Sequence, residues 1–267
     1  MSAVLVQRVR EHFSCHAEEY DRFARVQKIV AARLVAQASP LIPAGRVLDV
    51  GTGTGEVARC LRERDPGRPL LVCDLAPGMT RHAVASLPNA LAADGDAQSL
   101  PFVAGVFAGV LSASVYQWMN DLPEAFREAR RVLADEGLFA FALFGEGTLF
   151  ELRASHRQAV AEMQPGGCSH VQEFPSRQGV AAALEAGGFR ILRLWSENEV
   201  EWHETVPDLL RALKKIGAQN ASDQRPPGLA SRRVMQRMND IYRARFAHEG
   251  RIPATYEVIY GLACKGW

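Results

Sequence analysis

One ten-residue stretch limits what this chain can become more than any other: Arg46-Val47-Leu48-Asp49-Val50-Gly51-Thr52-Gly53-Thr54-Gly55. Val47, Leu48 and Val50 form a short apolar run, which predicts a central parallel strand covered on both faces. Three glycines at alternate positions end that strand, and Glu56-Val57-Ala58 opens a helical pattern. Glycine lets the backbone turn sharply and lets a ligand lie against bare amides, because no Cβ intervenes. The helix N-terminus beyond carries the positive end of the peptide dipoles, suited to a ligand carboxylate. An ordinary strand–helix turn would look similar, so the stretch gains meaning only from partners farther along.

The dinucleotide fingerprint G-x-G-x-x-G needs its third glycine where Glu56 stands. The pattern present, D-x-G-x-G-x-G, resembles the first motif of the class I S-adenosylmethionine-dependent methyltransferases. Leu70-Leu71-Val72-Cys73 reads as a second strand, with Asp74 at its carboxyl end. An acid there can accept both ribose hydroxyls of an adenosine, since strand ends line the ligand crevice of open α/β sheets. Leu75 and Met79 follow as apolar neighbours for an adenine face. Ala90-Leu91-Ala92-Ala93 reads as a third strand leading to Asp94-Gly95-Asp96-Ala97. Asp96 is placed to accept the adenine amino group, and the amide of Ala97 to donate to a ring nitrogen. Each acid alone reads equally as a cap or turn residue. Their conjunction with the glycine turn carries the argument.

The 267 residues suit one α/β domain with insertions, and a net charge of +1 gives no global steering toward nucleic acid or membrane. No apolar run approaches the ~18 residues a membrane span needs, and no export signal is visible. The five cysteines, Cys15, Cys60, Cys73, Cys168 and Cys264, lack C-x-x-C spacing and read as reduced thiols of a cytoplasmic protein, with no metal site expected.

Residues 1–45 read as an N-terminal helical lid, with Tyr20-Asp21 in a polar stretch before the apolar face Val26, Ile29, Val30, Leu34 and Val35. Val106 to Ser112 predicts a fourth strand, and Leu138 to Phe144 a buried fifth. Between them Leu122, Ala125, Phe126, Ala129, Val132 and Leu133 keep a helical period. The pattern breaks over 145–178, resumes with a helix to Ala186 and a strand from Phe189 to Trp195, and closes with a strand from Thr255 to Cys264. Segments 145–178 and 198–251 read as insertions covering the crevice. The alternation predicts a mostly parallel seven-stranded sheet with helices on both faces.

Nearly end to end, the chain resembles the malonyl-acyl carrier protein O-methyltransferases of biotin synthesis. The resemblance rests on Phe13-Ser14, Ala17, Tyr20-Asp21 and Gln27, on Gly95-Asp96-Ala97-Gln98-Ser99-Leu100-Pro101, and on Gln117-Trp118 with Asp121-Leu122. It continues through Gly147-Thr148-Leu149, Glu151-Leu152, His170-Val171, Phe174, Leu213-Lys214, Ile216-Gly217-Ala218 and Tyr256-Glu257-Val258. Gln117-Trp118 together with the Leu213–Ala218 stretch is the specific part; the early motifs are shared by many methyltransferases. The chain departs from the family pattern at Thr52, Ala108, Ala113 and Gln172, of which Ala113 lies beside the expected transfer site.

The resemblance implies a Rossmann-like class I methyltransferase fold and methyl transfer from S-adenosylmethionine, leaving S-adenosylhomocysteine, to the free carboxylate of a malonyl thioester on an acidic acyl carrier protein. It implies cofactor contacts at Asp49, Gly51, Thr52, Gly53, Asp74, Leu75, Met79, Asp96, Ala97 and Ser112, with Tyr20, Gln117 and Trp118 near the transferred methyl. Arg153 is the candidate clamp for the malonyl carboxylate, since its fork can pair with both oxygens. Residues 205–251 carry ten basic against four acidic side chains, a net +6, whereas 46–204 carry fourteen against twenty-one, a net −7. Arg211 and Lys214, three apart on one predicted helix face, are candidates to meet the carrier, and a monomer is expected. Two rivals stay open at this stage: a methyltransferase acting on another small molecule such as a quinone precursor, and a non-catalytic binding module of the same fold.

Overall fold

The computed structural model of the chain describes residues 20–164, 173–216 and 232–266, with Gln7, Arg10, Glu11 and Ser14 before them. Phe13, Cys15, Ala17, Cys168, His170, Val171, Gln172, Gly217 and Ala218 lie outside the described residues. The apolar run before the glycine turn forms β1 (Val47–Val50), buried at all positions. It pairs in parallel with β2 (Leu70–Asp74) on one side and β4 (Phe107–Ala113) on the other. β3 (Leu91–Asp94) continues the sheet beyond β2, and β5 (Leu133–Phe144) beyond β4. β7 (Ile252–Lys265) runs antiparallel between β5 and β6 (Phe189–His203). The seven-stranded order is β3-β2-β1-β4-β5-β7-β6, the expected mostly parallel sheet with its one reversed strand near the far edge.

Helices cover both faces. In chain order they are α1 (Arg25–Ala38), α2 (Glu56–Arg64), α3 (Pro77–Ser86), α4 (Leu122–Val132), α5 (Phe150–Met163), α6 (Arg177–Ala186), α7 (Val206–Lys215) and α8 (Arg232–Phe246). The side chains of β5 sort by the two-residue period of a strand. Phe139, Phe141 and Leu143 enter one core layer with Tyr116, Phe126 and Phe189; Leu138, Ala140 and Ala142 enter the other with Leu34, Leu61 and Tyr260. Asp121 caps α4 by accepting the Glu124 amide at 2.9 Å, and Ser176 caps α6 by accepting that of Gly179 at 3.1 Å.

Two boundaries differ from the sequence reading. The strand expected to end at Trp195 runs on to His203, and its partner begins at Ile252 rather than Thr255, with register Asn198↔Glu257 through His203↔Ile252. The second insertion therefore starts after His203, not at 198. Polar residues there read as loop because this strand forms the open edge of the sheet, and Glu197 and Glu199 are neutralised from α1 by the Arg33 guanidinium. The two insertions pack together, α5 along α8, with the Phe150 and Phe246 rings edge to face at 5.9 Å. Glu151, buried on α5, accepts the hydroxyl and the amide of Thr255 on β7, which holds the insertions to the sheet.

At Gly261 of β7 an added Cβ would lie 2.3 Å from the Phe141 ring. Gly261→Ala should therefore destabilise the fold by about 1–3 kcal/mol, as overpacked cores do, and Phe141→Leu in the same chain should recover part of the loss. Urea unfolding of the two variants checks both statements.

Candidate functional site

The turn after β1 is stitched to the end of β2. The amides of Gly51 and Thr52 donate to the Cys73 carbonyl at 2.7 and 3.0 Å, and the Gly53 amide donates to Asp74 Oδ2 at 2.9 Å. Such a path needs left-handed backbone at Gly51 (φ +66°) and Gly53 (φ +53°), which glycine adopts without strain. A Cβ at Gly51 would strike Val115 Cγ2 at 2.3 Å, whereas one at Gly53 would meet nothing within 4 Å. Gly53 thus presents bare backbone to open space. Asp74 also accepts the Ala76 amide on Oδ1 at 2.8 Å, and its own carbonyl accepts the Gly95 amide at 2.9 Å. The ends of β1, β2 and β3 are in this way drawn around one carboxylate.

They surround an open cavity at the carboxyl end of the sheet. Gly51, Thr52 and Gly53 line it from the turn, Asp74, Leu75 and Met79 from the end of β2 and the start of α3, and Asp96 with Ala97 from the loop after β3. Tyr20 and Trp118 line it as well. The Tyr20 ring packs on Ala76 and Met79. Asp96 Oδ1 accepts the Gln98 amide at 2.9 Å, which fixes the carboxylate in its loop.

Six predicted residues are not among the cavity's lining. Asp49 lies buried beneath the turn, where the Thr52 hydroxyl donates to its Oδ2 at 2.7 Å and its Oδ1 has no partner. Thr52, a departure from the family pattern, is therefore the donor that satisfies half of this carboxylate. Ser112 is fully buried and donates to the Val50 carbonyl at 2.8 Å, tying β4 to β1 behind the site. Ala113, Ser114 and Val115 line the cavity in its place, because β4 extends one residue beyond the expected end. Gln117 turns inward and donates to the Ser114 carbonyl at 2.7 Å. Arg153, on α5, donates from Nη2 to the Glu146 carbonyl, and its buried Nε lacks a partner. Arg211 and Lys214 are exposed on α7, with Arg211 paired to Asp208. The sequence reading missed Asp21, Lys28, Thr54 and Met119, which also line the cavity. Only Asp21 carried a signal, as the neighbour of Tyr20.

Burial dominates the electrostatics. It pushes the Asp49 carboxyl up to about 7, opposed by the Thr52 hydrogen bond and reinforced by Asp74. It pushes Asp74 up to about 6, against the amides of Ala76 and Gly53 and with help from Asp94. Burial, then Asp74 and Asp21, raises the Tyr20 phenol, so it stays protonated and can donate. Burial and Arg157 lower the Arg153 guanidinium, opposed by Glu146, Glu173 and Glu257. Among the described residues no group of three or more His, Cys, Asp or Glu is arranged to hold a metal ion. Nor is any of their helices long and apolar enough to cross a membrane.

The residues present fit S-adenosylmethionine: a glycine turn that leaves room for a ligand against the backbone, an acid that still has lone pairs free for hydroxyl donors, and a second acid lining the same cavity. Hydroxyl donors favour ionised Asp74, so binding should expel a proton where that group is half-titrated. S-adenosylhomocysteine affinity should rise as pH increases through about 6, by up to about one decade per pH unit for each proton released, and Asp74→Asn should flatten the profile and weaken binding at least ~10-fold at neutral pH. The folding stability of the ligand-free protein moves the other way. Two acids raised in the folded state contribute fully below about pH 4, and the contribution is lost as pH rises through about 6 and 7. Calorimetric titration and denaturant unfolding across pH 5–8 test the two signs.

Residues 48–141 match a family model described as a methyltransferase domain. Over 96% of its length the chain is 47% identical to the malonyl-[acyl-carrier protein] O-methyltransferase of Geobacter sulfurreducens, 97% of which is covered. It is 34% identical, over 94% of its length, to the biotin biosynthesis bifunctional protein BioHC of Saccharophagus degradans, of which it covers 45%. Among solved structures, a Bacillus halodurans protein described as a candidate methyltransferase superimposes with a TM-score of 0.63 at 19% identity, covering 89% of this chain and 99% of that one. At that identity the likeness speaks for the fold alone. The sequence matches go further, and the chain belongs to the malonyl-acyl carrier protein O-methyltransferase family.

Proposed function

We propose that the protein transfers a methyl group from S-adenosylmethionine to the free carboxylate of a malonyl thioester on acyl carrier protein, an early step of biotin synthesis. The observation that carries this reading is the end-to-end match to a relative of that name, at 47% identity over 96% of the chain, on a crevice lined by Gly53, Asp74 and Asp96. The cofactor supplies an electrophilic methyl on a sulfonium. The protein's residues have the remaining tasks. A malonyl carboxylate is ionised at neutral pH, so no general base is required, and placement and removal of water dominate.

In this reading Asp74 accepts the ribose hydroxyls, Asp96 and the Ala97 amide meet the adenine edge, and Leu75 and Met79 flank its face. The Cβ-free backbone at Gly53 lets the methionine end of the cofactor approach the turn closely. Tyr20 and Trp118 exclude water from the transferred methyl. Arg153 orients the malonyl carboxylate; its unspent Nε donor supports this, as does its place after the Gly145–Thr148 loop that leaves the end of β5. The carrier meets the exposed basic surface of the second insertion, where Arg211 and Lys214 on α7 stand with Arg232, Arg233, Arg243 and Arg245 on α8. A cytoplasmic monomer suits such a soluble donor and carrier.

Incubating the purified protein with labelled S-adenosylmethionine and malonyl-acyl carrier protein should give a base-labile methyl ester on the malonyl group. Labelling of a quinone precursor in its place would overturn the assignment. Tyr20→Phe should lower turnover more than S-adenosylhomocysteine affinity, separable by single-turnover kinetics and calorimetry. Arg211→Glu with Lys214→Glu should slow association with the carrier and reduce its salt dependence, yet spare turnover on a small malonyl thioester. Arg153→Ala should impair both substrates alike, and a comparison of kcat/KM on the two separates docking from chemistry.

A further inference from the structure

Asp21 makes contacts that no role yet given to the site explains. The Thr54 hydroxyl, on a side chain buried in the glycine turn, donates to Asp21 Oδ1 at 2.6 Å. Lys28 Nζ on α1 stands 3.7 Å from the same oxygen, and Arg59 Nη2 on α2 stands 3.9 Å from Oδ2. Arg59 is itself fixed to the turn, since its Nη1 donates to the Thr54 carbonyl at 2.8 Å. Both ion pairs are long and partly exposed, so they add little. The short hydrogen bond from a buried hydroxyl to a carboxylate is the substantial contact.

Two other described residues near the start of the chain lie toward α3. Tyr20, next to Asp21, packs on Ala76 and Met79. Ser14 rests its backbone on Gly78, where an added Cβ would come within 3.0 Å of the Ser14 carbonyl oxygen. Asp21 thus meets the glycine turn, while Tyr20 and Ser14 meet the start of α3 and the loop before it. Tyr20, Asp21, Lys28 and Thr54 all line the cavity.

We propose that Asp21 is a positioning residue: by accepting the Thr54 hydroxyl it ties the Tyr20–Asp21 pair to the glycine turn and holds Tyr20 and Lys28 at the cavity. Thr54 reports the state of the turn, because the Gly55 amide donates to the Thr52 carbonyl at 2.8 Å immediately around it. Anything that orders the turn then strengthens the tie, and the tie retards escape of what the turn holds. The inference rests on the assignment of this cavity to S-adenosylmethionine. A surface ion-pair role for Asp21 predicts none of this, since removing it would touch neither release nor turnover selectively.

The test measures S-adenosylhomocysteine release by stopped flow, with kcat and KM for the malonyl thioester, in Asp21→Ala, Thr54→Val, Thr54→Ser and the Asp21→Ala/Thr54→Val double variant. Release should quicken about tenfold or more in Asp21→Ala and equally in Thr54→Val, with no further gain in the double variant. Thr54→Ser keeps the donor and should release at the wild-type rate. Turnover should fall in the first two while KM for the malonyl thioester holds. Unchanged release in both Asp21→Ala and Thr54→Val, or additive effects in the double variant, would overturn the tie and leave the cofactor assignment standing. Failure of the wild-type protein to bind S-adenosylhomocysteine would remove that assignment and the proposal with it. Thr54→Val, nearly isosteric, keeps the test open should Asp21→Ala fold poorly.

Discussion

The structure depends on the end of β2 more than on any other point. Its last two residues receive the turn of β1 through three amides, those of Gly51, Thr52 and Gly53, and receive the loop of β3 through the Gly95 amide. A turn that donates its amides to a neighbouring strand is rigid without side chains of its own, so glycines can leave backbone open to a ligand. The same bonds hold the Asp74 carboxylate against positive amide ends, which offsets part of its burial. Were β2 one residue shorter, turn, acid and third loop would lose their common anchor together. Fold and site share these bonds.

Much of this was legible because the signals are local. The apolar run of β1, the alternate glycines, and an acid after each of two short strands lie in fixed order, and the sheet's architecture forces their ends into one crevice. The β5 residues from Leu138 to Phe144 announced a strand covered on both faces, and the two core layers divide them as a two-residue period requires. What escaped depended on distant partners. The polar end of β6 was read as loop because an edge strand lacks an apolar face of its own; its pairing with β7 and the Arg33 guanidinium across from Glu197 and Glu199 lie far away in sequence. Ser112 was placed in the site because one residue in a strand decides which face it takes. The turn that brings Ser114 and Val115 to the cavity uses left-handed backbone at Ser114 (φ +61°), which no residue type there announces.

Charge in the cavity has a consistent sense. Asp21, Glu56, Asp74 and Asp96 line it against a single basic side chain among the described lining residues, Lys28. Buried acids with raised proton affinity, as at Asp49 and Asp74, reduce the stability of the ligand-free protein at neutral pH. At Asp74, which lines the cavity, a ligand rich in hydroxyl donors restores part of what burial removes. Such strain is what a site made for an overall cationic donor should carry, and a nicotinamide dinucleotide with its pyrophosphate would meet the same acids as repulsion.

The reaction itself imposes a constraint on the basic insertion. Methylation removes the malonyl charge, so whatever holds that carboxylate loosens its grip on the product, whereas the acidic carrier surface proposed above would be unchanged by the chemistry. A docking face of unopposed arginines would therefore bind substrate and product carriers alike and slow release. The insertion is not unopposed: Asp208 pairs with Arg211 on α7, and Glu162 of α5 pairs with Arg237 on α8. Exposed pairs of this kind contribute roughly 0–1 kcal/mol to stability, which makes a structural reason for them weak. On the docking face proposed above, each pair would lower the field an acidic partner meets while leaving a donor able to exchange partners. Steering at long range with modest hold at contact is what a carrier that must leave after a single charge-neutralising step requires.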